Sequence, residues 1–115
     1  MKVLVVDDDP KDLELISEVL SEGGHEVDNC RDGAKALDKV IENKYDLILI
    51  DIMMPTLSGY ELAKILREKF NHALKLVYVS VVPEDEVDIE FVDGVLNKPF
   101  EKEAFLEKLN KILQI

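Results

Sequence analysis

Four short apolar runs, at positions 3–6, 47–50, 76–79 and, more weakly, 95–96, contain no polar residue and are rich in β-branched side chains. A strand with one wet face alternates apolar and polar residues. An uninterrupted run is the pattern of a strand covered on both faces, as in a parallel sheet. Val27-Asp28-Asn29-Cys30 is a more polar candidate strand, and its place is a sheet edge. Between these runs apolar residues recur at helical spacing. Leu13, Ile16, Val19 and Leu20 share one face, as do Ala34, Leu37 and Ile41, then Leu62, Ile65 and Leu66, then Phe105, Leu109, Ile112 and Leu113. Boundary signals agree. Asp9 before Pro10 reads as an N-cap and first helical residue. Ser58-Gly59-Tyr60-Glu61 reads as a capping box, and Gly23-Gly24 as a stop. Strands and helices therefore alternate, which predicts an α/β fold with helices on both faces of a parallel sheet.

The length of 115 residues predicts one domain over positions 1–115. The chain ends where its last helix should end, as a stand-alone protein or as part of a longer one. A formal net charge of −11 argues against direct nucleic-acid binding, which needs a basic face. The same charge suits a cation or a basic partner surface. The single cysteine, Cys30, allows no internal disulfide, as in a reducing compartment, and reads as a small core residue. The apolar run near the N-terminus stops at Asp7, too soon for a signal peptide. No segment approaches the roughly 20 apolar residues of a membrane span.

In open parallel sheets ligands bind at the carboxyl ends of the strands. Asp7 and Asp8 follow the first strand, Asp51 the third and Ser80 the fourth, while Lys98 comes just after the fifth. Each has a plainer reading taken alone: loop residues, a strand terminator, a helix cap, a surface lysine. All five at successive strand ends make a site. Carboxylates so close repel one another and tend to hold protons, and a divalent cation removes the conflict. Mg²⁺ takes one or two carboxylates, and no His/Cys set suggests zinc. Phosphoryl transfer needs an in-line nucleophile and positive or donor groups on the phosphoryl oxygens. Asp51 suits the first role, Lys98 and Ser80 the second.

At this point the chain resembles the receiver family of two-component signalling. The matching stretches are Val3-Leu4-Val5-Val6-Asp7-Asp8-Asp9-Pro10, Asp46-Leu47-Ile48-Leu49-Ile50-Asp51-Ile52-Met53-Met54-Pro55, Ser58-Gly59-Tyr60-Glu61-Leu62 and Asn97-Lys98-Pro99-Phe100. The resemblance covers nearly the whole chain. It implies a flavodoxin-like, doubly wound five-stranded sheet in the order 2-1-3-4-5. It implies a cytoplasmic phosphoacceptor switch, not an enzyme, in which Asp51 takes a phosphoryl group from a sensor histidine kinase or phosphotransfer protein and passes the signal to an output protein. Asp8, Asp51 and the Met53 carbonyl would ligate Mg²⁺, Asp7 would hold a metal-bound water, and Ser80 and Lys98 would bind phosphoryl oxygens. The Lys98–Pro99 bond would be cis.

Three features depart from the family pattern. Val95 stands where an aromatic reporter is usual. Val81 stands where a small residue is usual, and its branched side chain would crowd the phosphoryl pocket. The stretch from Ser80 to Lys98 is shorter than usual by roughly one helical turn, ~4 residues, so the fourth helix is expected to be short or irregular. These departures leave an alternative: a pseudo-receiver that docks partners without being phosphorylated. An aspartyl phosphatase is disfavoured because Met53 replaces the second carboxylate of an Asp-x-Asp pair. A nucleotide-binding protein is disfavoured because no Gly-rich loop follows the first strand. His25 and His72 read as surface loop residues, the acids at 84–90 as a solvated face, and Tyr45, Tyr60 and Tyr78 as packing residues with wet hydroxyls.

Overall fold

The computed structural model describes residues 1–114; Ile115 and the side chain of His72 lie outside the described residues. Five strands, β1 (Lys2–Val6), β2 (Glu26–Cys30), β3 (Leu47–Asp51), β4 (Lys75–Ser80) and β5 (Gly94–Asn97), form one parallel sheet in the order β2-β1-β3-β4-β5. Four α-helices connect or follow them: α1 (Pro10–Glu22), α2 (Gly33–Glu42), α3 (Gly59–Phe70) and α4 (Lys102–Leu113).

The uninterrupted apolar runs are explained by a core on each face of the sheet. Leu4, Val6, Ile48, Ile50, Leu76 and Tyr78 pack with Ala36, Val40, Leu62 and Leu66 of α2 and α3. The alternate residues Val3, Val5, Leu47, Leu49, Val77 and Val79 pack with Ile16, Leu20, Phe105 and Leu109 of α1 and α4. The polar β2 lies at an edge, with Cys30 buried at its end.

The caps form as their residue types predict. Asp9 accepts a hydrogen bond from the Lys11 N–H at 2.9 Å. Ser58 and Glu61 make a reciprocal capping box. Gly24, just past α1, has φ of +90°, where a side chain is strained.

Two expectations are corrected. The buried face of α2 is Gly33, Ala36 and Val40 with Leu37 beside them, while Ile41 is 63% exposed. Both sets have helical spacing. The smaller one is covered, and at its start Gly33 sits close against the Leu57 side chain of the loop before α3. The tyrosine hydroxyls are not generally wet. Tyr45 is buried and donates to Asp28 at 2.7 Å, and the fully buried Tyr78 hydroxyl has no partner among the described residues.

Between β4 and β5 the only helical turn is a single 3₁₀ turn, Glu84–Glu86. Its acids are exposed and Val87 alone of this stretch is buried, so little apolar surface is available to hold a longer helix. The end of the loop is fastened by Arg67. Its guanidinium donates to the Phe91, Asn71 and Leu74 carbonyls and pairs with Asp93 at 3.0 Å. Asp93 also accepts from the Leu76 N–H, which ties the loop to β4.

Candidate functional site

Because every strand runs the same way, the carboxyl ends of β1, β3, β4 and β5 meet on one edge. Asp7 follows β1, Asp51 ends β3, Ser80 ends β4, and Lys98 follows β5. The register sets Asp51 beside Val79 and Ser80 beside Asn97. The cis Lys98–Pro99 peptide is present.

Ligating oxygens of Asp7, Asp8 and Asp51 all lie within 4.8 Å of one another. Asp7 and Asp51 are buried and Asp8 is half-buried. Both Asp7 oxygens are engaged: Oδ1 accepts from the Asp9 N–H at 2.9 Å and Oδ2 from the Lys98 ammonium at 2.7 Å. Lys98 Nζ also lies 3.8 Å from Asp51 Oδ1, an ion pair too long for a hydrogen bond.

The electrostatics follow from crowding. Burial, the Asp7 charge and a hydrogen bond with Asp8 push the Asp51 carboxyl up to about 7, although Lys98 and a backbone hydrogen bond from Met53 pull it down. Burial opposes the Lys98 charge, but hydrogen bonds to Asp7 and Asp12 outweigh it and hold the ammonium above its ordinary value. Three oxygen donors with one carboxyl pushed towards its proton form the set a hard divalent cation neutralises. The residues present fit Mg²⁺.

Ser80 is fully buried, and its hydroxyl accepts from the Val82 N–H at 3.0 Å, so here it serves its own turn. The Asn97 amide donates to the Val82 carbonyl at 2.8 Å and fixes that turn from β5. Val95 is buried beside Tyr78, whereas Met53 and Val81 are 64% and 66% exposed.

Two contributors were not foreseen. Gly59 opens α3 directly on the loop after Asp51. A Cβ there would lie 2.3 Å from the Asp51 carbonyl oxygen, so only glycine permits the approach. Asp12, in the first turn of α1, accepts from the Lys98 ammonium at 2.9 Å. Asp12 lies 86 residues from Lys98, and nothing local in the sequence marks the pairing.

The profile of the response regulator receiver domain matches residues 3–110. The regulatory protein VanRB of Enterococcus faecalis is 30% identical over 118 residues, covering 99% of this chain and 53% of that protein. The response regulator MprA of a Mycobacterium species is 33% identical over 117 residues, covering 99% of this chain and 51% of that protein. The chain thus spans about half the length of these curated relatives. Among solved structures, the response regulator TrrA of Thermotoga maritima in complex with Mg²⁺–BeF superposes with a TM-score of 0.88 at 34% identity, covering 96% of this chain and 97% of that one. TrrA in complex with the histidine kinase ThkA gives a TM-score of 0.88 at 35% identity, covering 98% of each chain.

Proposed function

This chain belongs to the response regulator receiver family, and from that membership we propose that it is a phosphoacceptor switch whose phosphorylated residue is Asp51. The observation that carries the proposal is the site itself: a buried carboxylate at the end of β3, two further carboxylates within 4.8 Å, and a lysine ammonium at 3.8 Å.

A phosphohistidine of a sensor kinase or phosphotransfer protein is the donor. An Asp51 carboxylate oxygen attacks phosphorus in line with the P–N bond. The O–P bond forms as the P–N bond breaks, and the imidazole leaves with its electron pair and takes a proton. Lys98 meets the phosphoryl oxygens as a point charge. Ser80, whose hydroxyl oxygen accepts from the Val82 N–H, still has its O–H to donate to one of those oxygens. Asp8, Asp51 and the Met53 carbonyl would hold Mg²⁺, with Asp7 holding a metal-bound water, and the ion would supply positive charge to the transferring group. The solved relatives with Mg²⁺–BeF and with a histidine kinase support this reading.

The chain acts as a signalling module rather than a turnover enzyme, in the cytoplasm, and is not itself the nucleic-acid-binding surface. Its charge of −11 supports the last point. The output partner is a protein or a further domain. In the described residues no helix is long and apolar enough to cross a membrane.

The test is intact-mass spectrometry after incubation with phosphoramidate and Mg²⁺. One added phosphoryl group, lost on hydroxylamine treatment, is expected. No addition at any donor concentration favours the docking pseudo-receiver instead.

A further inference from the structure

Lys98 has three N–H bonds and three carboxylates around it, but its position brings only two of them within hydrogen-bond distance. Two bonds go to Asp7 at 2.7 Å and Asp12 at 2.9 Å, while Asp51 is left at 3.8 Å. The two holders differ. Asp7 is 1% exposed, and its other oxygen is pinned by the Asp9 N–H, so it is a fixed anchor. The Asp12 side chain is 36% exposed and sits on the first turn of α1, outside the Asp7, Asp8 and Asp51 cluster. Water can replace Lys98 at Asp12, whereas at Asp7 its loss would strand a buried charge. Asp12 is therefore the partner that the ammonium can release.

We propose that Asp12 is a positioning residue that competes with the phosphoryl group for the Lys98 ammonium and so holds the site in its unphosphorylated state. The inference rests on the phosphoacceptor reading. When a phosphoryl group stands on Asp51, Lys98 keeps Asp7 and turns from α1 towards the new oxygens. Asp12 thus sets how strongly the site holds a phosphoryl group without touching that group. It also couples the site to α1, because the released carboxylate returns to solvent at the helix N-terminus, where the dipole favours it.

The test uses the intact chain with saturating Mg²⁺ and beryllofluoride as the phosphoryl stand-in, its affinity read by calorimetry. Asp12→Asn keeps the shape and removes the charge. It should tighten beryllofluoride binding roughly threefold to tenfold, the range of a half-exposed charge pair. Glu14→Gln, an exposed acid on the same helix that is not among the partners of Lys98, controls for general loss of negative charge and should bind like the unsubstituted chain. Asp12→Glu restores the charge and should return the affinity close to that of the parent. The phosphorylation kinetics should show the same pattern, with the effect of Asp12→Asn mainly in KM for phosphoramidate. Weaker or unchanged binding in Asp12→Asn, or equal tightening in Glu14→Gln, overturns the proposal while leaving Asp51 as phosphoacceptor. No beryllofluoride binding by the unsubstituted chain, together with no phosphate uptake, overturns both.

Discussion

Gly59→Ala tests whether the loop carrying Asp51 is fixed by the approach of α3. The added Cβ would stand 2.3 Å from the Asp51 carbonyl oxygen, 2.6 Å from the Ile52 Cα and 2.9 Å from the Asp51 carbonyl carbon. All three are backbone atoms, so no side-chain rotation relieves the contact. The Gly59 N–H also donates to the Ile52 carbonyl at 2.9 Å, so withdrawing the helix stretches that bond. Overpacking costs about 1–3 kcal/mol, with unyielding surroundings at the upper end. Against this, replacing a helical glycine gains at most about 1 kcal/mol of propensity. The net loss expected is about 2–3 kcal/mol, which for a domain of this size lowers Tm by roughly 10–20 °C. Urea unfolding is the assay, with the midpoint falling and the slope unchanged. Gly24→Ala is the comparison. It meets no atom within 4 Å and suffers only the strain of φ +90°, about 1–2 kcal/mol. A Gly59→Ala chain as stable as its parent, or more stable than Gly24→Ala, would refute the argument that this glycine sets the loop.

Arg67→Met should cost about 2–4 kcal/mol, because it removes the donor of three carbonyls and leaves Asp93 with the Leu76 N–H but no cation, and should raise amide exchange in residues 91–93 ahead of the rest of the sheet. Asp8→Asn should raise the metal-free Tm by relieving the cluster and abolish most of the Tm increase that Mg²⁺ causes, read by calorimetry with and without chelator. With Asp51 pushed up to about 7 from an ordinary 3.8, the folded chain favours its protonated form. The stability contributed is complete below pH ~4 and is lost as pH rises through ~7, so the metal-free Tm should fall from pH 5 to pH 8 more steeply than that of Asp51→Asn. Val81→Ala should speed phosphorylation by small donors if this side chain hinders their entry; equal rates would show that the 66% exposed valine stands clear of their path.

The strands and the site were legible because one physical pattern marked both: a strand buried on two faces shows as an unbroken apolar run, and in a parallel sheet the polar residues just beyond such runs converge. By this rule Asp7, Asp8, Asp51 and Lys98 belong at one edge, where the structure clusters them, and Ser80 belongs at the neighbouring strand end. Capping was legible for a local reason, since Asp9 and Ser58 bond within three residues of themselves. What escaped depended on packing between distant segments. Ala36 and Ile41 are both apolar at helical spacing, and which of them is covered depends on how α2 packs against distant segments. Arg67 and Asp12 are ordinary helix-surface residues in sequence, yet they hold Asp93 and Lys98 across 26 and 86 positions. The buried Tyr78 hydroxyl, without a partner among the described residues, and the edge-on packing of its ring 5.3 Å from that of Tyr60 are features periodicity does not encode.

The central claim is that Asp51 carries the phosphoryl group, and locating that group tests it most directly. After reaction with phosphoramidate and Mg²⁺, borohydride reduction converts an aspartyl phosphate to homoserine, which peptide mass spectrometry can assign to one position. Homoserine at Asp51, absent from the Asp51→Asn chain while that chain still folds, is the expected result. Homoserine at Asp7, Asp8 or another acid, or undiminished phosphate uptake by Asp51→Asn, would contradict the account.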